Sequence, residues 1–268
     1  MVAFLFEKRG QIAYLTFNRP EAHNAMSPEV IVRMAEAWRE IERDDAIRVA
    51  IITGAGGKAF SAGADLGRLI PLLTGARKPE DQWDRRVAED PTLAKTALLR
   101  DFSLSKPVIA AVNGFCIAGG MELLQGTDLR VASETASFGL QEVKWALVPA
   151  GGSLVRLQRQ IPYCKAMEIL LTGDRIDANE AYRLGLINYV VAPDQVMKKA
   201  EELARTIADN GPLAVRAIKR AVEGCSGLPL GEAFKIEDEI GREVFRSEDA
   251  REGPRAFMEK RKPRYLGR

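Results

Sequence analysis

The chain has 268 residues, enough to bury a substantial core, and its 46% apolar and 28% charged residues are ordinary for a globular protein. A formal net charge of +2 gives no electrostatic reason to expect nucleic acid or an acidic membrane as a partner. No apolar stretch approaches the ~20 residues of a membrane-spanning helix, and the three scattered cysteines lack the spacing of a zinc site or a disulfide framework. These features predict a cytoplasmic protein with no metal and no membrane contact.

The chain contains one histidine, His23. A two-histidine metal site is therefore impossible, and a Ser-His-Asp triad would have to use His23 as its base. We expect His23 to be a loop residue beside a ligand or solvent. If the protein is an enzyme, its proton transfers then fall to carboxylates.

The first half of the chain alternates strand and helix patterns. Residues 4–9 and 11–17 flank Gly10 and predict a β-hairpin. Ser27 and Pro28 have the types preferred at a helix N-cap and first helical position, so a helix is predicted to begin there. Buried strands are predicted at residues 49–53, 107–112 and 129–132. Recurring strand–turn–helix units indicate an α/β fold.

Two further regions complete the chain. The polar stretch from Pro71 to Pro91 predicts a mobile insertion. From Tyr163 onward the apolar spacing is almost wholly helical. We therefore predict an α/β core over residues 1–200, which would carry any active site, and a helical C-terminal subdomain over residues 201–268, which would form oligomer contacts or a lid.

A first glycine-rich turn, Gly54-Ala-Gly-Gly-Lys-Ala, satisfies the G-x-G-x-x-A pattern of dinucleotide-binding folds. The context argues against that function, because Phe60-Ser-Ala-Gly-Ala-Asp interrupts the expected helix and no acidic strand end follows about 20 residues on. Lys58 and Ala59 also break the ending of a phosphate P-loop. A dinucleotide fold is therefore disfavoured.

Two later turns each carry a glutamate. Ala118-Gly-Gly leads into an apolar helix whose first turn holds Glu122, which predicts either an anion-binding N–H or a close-packed glycine pair. Glu142 has Phe138 and Leu140 before it and Val143 and Trp145 after it. Its carboxylate is either exposed at a turn or held in an apolar pocket with a raised pKa. Taken separately, both turns leave their alternatives open.

Taken together, these segments resemble the crotonase (enoyl-CoA hydratase/isomerase) superfamily. The segments Phe60–Leu66, Asn113–Glu122 and Phe138–Glu142 occur in the order and at the separations of that superfamily. The resemblance continues through Leu171–Ala181, Leu184–Val191 and Glu252–Pro263, and so covers nearly the whole chain. It implies a spiral of β-β-α units with a helical C-terminal subdomain.

The resemblance also implies roles for single residues. It assigns the oxyanion-hole N–H groups to Ala62 and Gly119, and the catalytic carboxylates to Glu122, which would activate water, and Glu142, which would protonate C2. It places Ala62, Gly63, Ala64, Asp65 and Gly119 beside the acyl-CoA substrate. CoA belongs to that substrate, and no separate cofactor is implied. The family's assembly habit implies a homotrimer or homohexamer.

The chemistry explains why such a set would be needed. Water that attacks C3 of an enoyl thioester drives negative charge onto the thioester oxygen, and two N–H donors stabilise that charge. Two nearby carboxylates can divide the proton transfers, because their proximity pushes their two pKa values apart, so that one is protonated while the other is ionised. The expected function is therefore hydration of a 2-enoyl-CoA or dehydration of a 3-hydroxyacyl-CoA. The alternatives are a double-bond isomerase or another crotonase-type enzyme, a non-catalytic acyl-CoA-binding protein, and an RNA-binding member, which the acidic residues of the first helix disfavour.

The sequence departs from the family pattern at two positions. Ala118 stands where the first of three glycines is common, and Gln141 stands where proline commonly precedes the second glutamate. Neither change removes a donor or a carboxylate. The long Pro71–Pro91 stretch falls where the family borders its acyl pocket, so a bulky acyl group is expected.

Overall fold

A computed structural model describes residues 2–268. Its strands are β1 (Phe4–Arg9), β2 (Ile12–Phe17), β3 (Val49–Gly54), β4 (Ala59–Ser61), β5 (Val108–Val112), β6 (Phe115–Ile117), β7 (Leu129–Ser133), β8 (Ser137–Gly139), β9 (Ile176–Asp177) and β10 (Tyr189–Val191). They form a six-stranded sheet in the order β1-β2-β3-β5-β7-β10 and a four-stranded sheet in the order β4-β6-β8-β9.

The helices surround these sheets. They are α1 (Pro28–Arg43), α2 (Leu69–Leu73), α3 (Gln82–Glu89), α4 (Thr92–Ala97), α5 (Gly119–Leu124), α6 (Ser153–Gln160), α7 (Tyr163–Thr172), α8 (Ala178–Arg183), α9 (Val196–Asp209), α10 (Pro212–Cys225), α11 (Leu230–Phe245) and α12 (Glu248–Met258). Short 3-10 helices cover Pro20–Ala22, Gln141–Trp145 and Pro193–Gln195. None of the helices in the described residues is long and apolar enough to cross a membrane.

Strand pairs repeat along the chain and build the spiral. In β3–β4, β5–β6 and β7–β8, the first strand joins the large sheet and the second joins the small one. Both sheets pair these strands in parallel. The α/β fold and its β-β-α units are therefore confirmed. The small sheet was missed, because strands of three residues behind glycine turns show no periodicity that a sequence pattern can detect.

Local sequence signals determined the first elements. The predicted hairpin is β1–β2, with Phe4 opposite Phe17 and Gly10 at a φ of 59° in its turn. Helix α1 begins as predicted, because the Ser27 hydroxyl accepts a hydrogen bond from the Val30 N–H at 3.4 Å. Its buried face, which includes Trp38, packs in the core beneath the large sheet.

The other face of the large sheet is covered by α9. Val196, Ala200, Ala204 and Ala208 lie on one side of this helix and pack against β3, β5 and β7. The predicted domain boundary at residue 200 therefore falls inside a helix that belongs to the core, and the helical extension begins with α10. The region after Tyr163 is almost wholly helical, as predicted; it also contains the short strands β9 and β10, and β10 completes the large sheet.

The predicted mobile insertion is instead folded. Residues 71–91 contain the end of α2 and all of α3. Asp84 is fully buried and accepts hydrogen bonds from Arg77 at 2.6 Å and from the Glu80 N–H at 3.1 Å. These contacts hold the pKa of Asp84 down at about 2. Ion pairs of Arg68 with Asp81 and of Arg86 with Glu36 connect the stretch to the rest of the protein. Polar composition suggested disorder because such ion pairs leave no apolar periodicity in the sequence.

Candidate active site

A cavity of about 550 Å³ lies where the turns after β4, β6 and β8 meet. Helices α2 and α4 form its apolar wall, to which Leu69, Ile70 and Leu98 contribute. Trp145 and Val148 also line the cavity and are about two-thirds exposed. The cavity therefore joins a buried apolar interior to an apolar mouth, a shape suited to a ligand with a long apolar portion.

Two backbone N–H groups converge on this cavity. Gly119 is the first residue of α5, so its N–H has no acceptor within the helix. The Ala64 N–H likewise has no acceptor within residues 2–268, and a Cβ built on Gly119 would lie 3.6 Å from the Ala64 nitrogen. A Cβ at Gly63 would come within 2.7 Å of the Gly119 nitrogen. Glycine at position 63 therefore permits the close approach of the two segments.

The structure corrects the expectation at Ala62. The Ala62 N–H already donates a hydrogen bond to the His23 carbonyl at 3.0 Å, although the residue lines the cavity. Ala64 forms a bridge with Met26, in which the next N–H, that of Asp65, donates to Met26 at 3.0 Å. Neighbouring N–H groups of an extended segment point to opposite sides. The Ala64 N–H, and not that of Ala62, is thus left unoccupied next to Gly119.

Two other residues predicted beside the substrate support the site from behind. Gly63 and Asp65 do not line the cavity. The Asp65 carboxylate forms an ion pair with Arg19 at 2.9 Å and accepts a hydrogen bond from the Gly67 N–H at 3.0 Å. Asp65 therefore shapes the turn that presents Ala64, and its charge is already compensated.

Glu122 is buried in the cavity wall, 5% exposed, within the short helix α5. Its Oε1 atom faces the N–H of Ser153 at 3.5 Å, at the start of α6. Burial raises the pKa of Glu122, while hydrogen bonds from the Ser153 and Gly151 N–H groups oppose the rise. The positive charges of Arg100 and Arg156 oppose it further. This carboxyl group therefore has partners that favour its ionised form.

Glu142 lies on the same cavity, in the 3-10 helix Gln141–Trp145. Its Oε2 atom is buried and has no hydrogen-bond partner within residues 2–268. Burial raises the pKa of Glu142 to about 7, and the charge of Glu122 adds to the rise. The apolar-pocket alternative is therefore correct for Glu142, and the exposed-turn alternative is wrong.

The mouth of the cavity holds His23 together with Phe115 and Arg175, which the sequence did not single out. His23 lies beside the Phe115 ring, 6.3 Å between centroids, and both line the cavity. The Arg175 guanidinium lies 5.1 Å from the centre of the Phe115 ring. His23 thus occupies the loop beside the ligand site, as predicted. Within residues 2–268 no group of three His, Cys, Asp or Glu side chains could hold a metal ion.

The fold and this cavity define an α/β protein of the crotonase type. The sequence matches the enoyl-CoA hydratase/isomerase family over residues 7–268, and the chain belongs to that family. It is 50% identical over 264 residues to the enoyl-CoA hydratase EchA19 of Mycobacterium tuberculosis, covering 98% of this chain and 96% of that protein. It is 38% identical over 265 residues to the carnitinyl-CoA dehydratase of Salmonella typhi, covering 97% of each. The crystal structure of an enoyl-CoA hydratase from M. tuberculosis superimposes with a TM-score of 0.88 at 38% identity, over the full length of both chains.

Proposed function

We propose that this protein hydrates the 2,3-double bond of a 2-enoyl-CoA thioester, or catalyses the reverse dehydration of a 3-hydroxyacyl-CoA. One observation carries the proposal: two carboxyl groups with unlike surroundings and two unoccupied N–H groups converge on one apolar cavity. The similarity to an enoyl-CoA hydratase and to a carnitinyl-CoA dehydratase supports both directions of this reaction.

The oxyanion hole in this proposal consists of the Ala64 and Gly119 N–H groups. The thioester oxygen accepts both hydrogen bonds, and its charge grows as water attacks C3. Donors that are already oriented cost no reorganisation in the transition state, and loss of one costs roughly 2.7–4 kcal/mol in enzymes where it has been measured. Ala64 replaces Ala62 in this role because the Ala62 N–H is bonded to His23.

The two glutamates divide the proton transfers. Glu122 takes a proton from water, because its N–H partners and nearby arginines favour a carboxylate. The hydroxyl group adds to C3 and the electron pair of the double bond moves onto the thioester. Glu142 then delivers its proton to C2, because its unpaired, buried oxygen favours the protonated form near pH 7. The pair shares one proton before the reaction and one after it.

A panel of enoyl-CoA thioesters tests the proposal. Short, long, aromatic and sterol-derived enoyl-CoAs should be compared by loss of enone absorbance. The apolar cavity wall formed by α2 and α4 favours turnover of bulky acyl groups. Binding of every thioester without turnover of any would contradict the proposal and indicate an acyl-CoA-binding protein.

An isomerase is the second candidate, because Glu142 alone could move a proton between carbon atoms. The buried, hydrogen-bonded Glu122 argues for hydration, since a one-carboxylate isomerase has no need of it. A 3-enoyl-CoA substrate distinguishes the two, because an isomerase would convert it to the conjugated thioester and the Glu122→Gln variant would retain that activity.

We further propose that the chain assembles as a homotrimer or homohexamer through its helical extension. Large apolar side chains on α10–α12 are more than half exposed in the single chain; they are Ile218, Val222, Leu230, Phe234, Phe245, Phe257 and Met258. Apolar surface of this extent commonly marks a contact between proteins. Light scattering at micromolar concentration should give a multiple of 29.5 kDa. A monomer would contradict this proposal and leave the catalytic one intact.

A further inference from the structure

The 3-10 helix that carries Glu142 is tied to a distant segment through the side chain before it. The Gln141 Oε1 atom accepts two hydrogen bonds from Arg175, one from Nε at 3.2 Å and one from Nη2 at 2.8 Å. This contact therefore fixes the residue immediately before Glu142.

Arg175 also contacts the strands on which the cavity is built. Its guanidinium stacks over Phe115, the first residue of β6, which leads directly into the turn before Gly119. Its aliphatic stem crosses β8 so closely that a Cβ on Gly139 would lie 3.1 Å from the Arg175 Cγ. A planar guanidinium can stack on a ring while two of its N–H groups donate to one oxygen atom, here Gln141 Oε1, which a lysine cannot do. Arg175 therefore joins the Glu142 segment to the strand that presents the oxyanion-hole residue.

The Glu142 side chain has few contacts that could hold it in place. Its Oε2 atom is buried without a partner, so its position depends on the backbone of the 3-10 helix. The outer face of that helix carries one more tie to the same distant segment, an exposed pair of Lys144 and Asp174 at 2.8 Å. Exposed pairs of this kind contribute little. The Gln141–Arg175 hydrogen bonds are exposed too, but the Arg175 side chain is also held by its stacking on Phe115 and its packing against Gly139, so this contact is the better anchored of the two.

We propose that Arg175 is a positioning residue that acts through Gln141 to hold the Glu142 carboxyl group where it can protonate C2. This inference rests on the proposed hydratase function. A displacement of about 1 Å can lower the rate of a positioned reaction by up to roughly 10²-fold. Loss of the tie should therefore lower kcat and leave KM nearly unchanged.

Variants Arg175→Met, Arg175→Lys and Gln141→Ala test the proposal, with Arg183→Met as the control. Arg183 is an exposed arginine that pairs only with Glu180 on its own helix. We expect kcat for hydration to fall about 10-fold or more in the three variants and to stay within about 2-fold in the control. Arg175→Lys should not restore kcat, because lysine keeps the positive charge but lacks the planar guanidinium that donates both hydrogen bonds. The Gln141→Ala/Arg175→Met double variant should lose little beyond the worse single one, since both changes break the same contact.

The pH profile separates positioning from general loosening of the fold. Glu122 is the charged group that faces Glu142 across the cavity and contributes to its raised pKa. If the 3-10 helix loosens, water reaches the Glu142 carboxyl group and its pKa falls toward the ordinary value. The alkaline limb of the kcat profile should therefore move to lower pH in Arg175→Lys, whereas a merely structural defect would lower the whole profile without moving its limb.

Three results would overturn the inference. The first is an unchanged kcat in all three variants. The second is a rise in KM that salt abolishes at constant kcat, which would make Arg175 a contact for the phosphates of CoA. The third is a kcat profile of Arg175→Lys that is lower at every pH while its alkaline limb stays at the wild-type pH. If Glu142→Gln lowers hydration and Arg175→Met does not, only this inference fails. If wild-type protein hydrates no enoyl-CoA, the proposed function fails first.

Discussion

The surroundings of Glu122 and Glu142 differ although both carboxyl groups face one cavity. Glu122 lies at the junction of α5 and α6, where the Ser153 and Gly151 N–H groups and two arginines favour its charge. Glu142 lies in a 3-10 helix among apolar neighbours, with one buried oxygen that has no hydrogen-bond partner in residues 2–268. Two short segments thus give the same residue type different electrostatic surroundings.

In the proposed mechanism this difference in surroundings distinguishes the base, Glu122, from the acid, Glu142, although both are glutamates. Burial raises both pKa values; N–H donors of Ser153 and Gly151 oppose the rise at Glu122, whereas at Glu142 a hydrogen bond with its own backbone opposes it. In the proposed mechanism the shared proton therefore resides on Glu142 before the reaction. Any change that makes the two surroundings alike should remove the division of labour.

Removing either carboxylate should have the largest effect. Glu122→Gln and Glu142→Gln should each lower the hydration rate at least ~10²-fold, because each removes a positioned acid or base. The double variant should lose much less than the product of the two losses, because the groups act as a unit. Loss of enone absorbance measures all three rates. Near wild-type turnover in either single variant would contradict the assignment.

Ionisation of the buried Glu142 carboxyl group should lower the free energy of unfolding at high pH. The folded-state pKa of Glu142 is about 7, above its ordinary value of 4.5, so the folded protein holds this proton more tightly than the unfolded chain. Its contribution to stability is therefore complete below pH 4.5 and is lost as the pH rises through 7. Glutamine cannot ionise, and Glu142→Gln should raise the free energy of unfolding at pH 8 by up to roughly 3 kcal/mol.

Urea unfolding at pH 5 and pH 8 measures this gain, with Glu134→Gln as the control, because Glu134 is exposed. The control should change by less than about 0.5 kcal/mol at either pH. An equal gain of Glu142→Gln at both pH values would show that the buried charge is not its cause.

A substitution that crowds Glu122 should disturb the proposed base and leave Glu142 in place. A Cβ on Gly151 would lie 2.5 Å from the Glu122 Oε2 atom and would also meet Leu98. Gly151→Ala should therefore displace the carboxylate and lower kcat about 10-fold or more. The matched control is Gly57→Ala, since a Cβ at Gly57 meets nothing within 4 Å. Comparable rates for the two variants would show that Glu122 tolerates displacement.

The smallest effect concerns the strained turn that begins α5. Ala118 has a φ of 50° and a ψ of −124°, a conformation that favours glycine. Ala118→Gly should relieve strain and raise the free energy of unfolding by up to about 1 kcal/mol. It should lower kcat less than about 3-fold, because the Gly119 N–H becomes less firmly oriented. The control is Ala76→Gly, at an exposed residue outside the positive-φ set, and thermal unfolding that ranks Ala118→Gly below it would contradict the prediction.

Much of the fold could be predicted from the sequence, because its signals are local. The hairpin around Gly10, the Ser27 cap of α1 and the buried strands β3, β5 and β7 follow from patterns of a few neighbouring residues. The turns that carry Glu122 and Glu142 left their alternatives open when taken separately, and the family resemblance of the combined segments singled out both glutamates. The structure brings both of them to one cavity.

Contacts between distant segments decided the rest. Whether Ala62 or Ala64 offers a free N–H depends on hydrogen bonds with His23 and Met26, which no pattern in residues 60–65 encodes. The polar stretch 71–91 is folded around the buried Asp84, whose ion pairs with Arg77 and Arg68 form only in the folded chain. The pKa of about 7 at Glu142 likewise results from burial against other segments. The sequence by itself thus indicated the residues of the proposed catalytic site, whereas only the tertiary structure decided which N–H is free and which carboxyl group has its pKa raised to about 7, because solvation and hydrogen bonding are properties of the assembled surroundings.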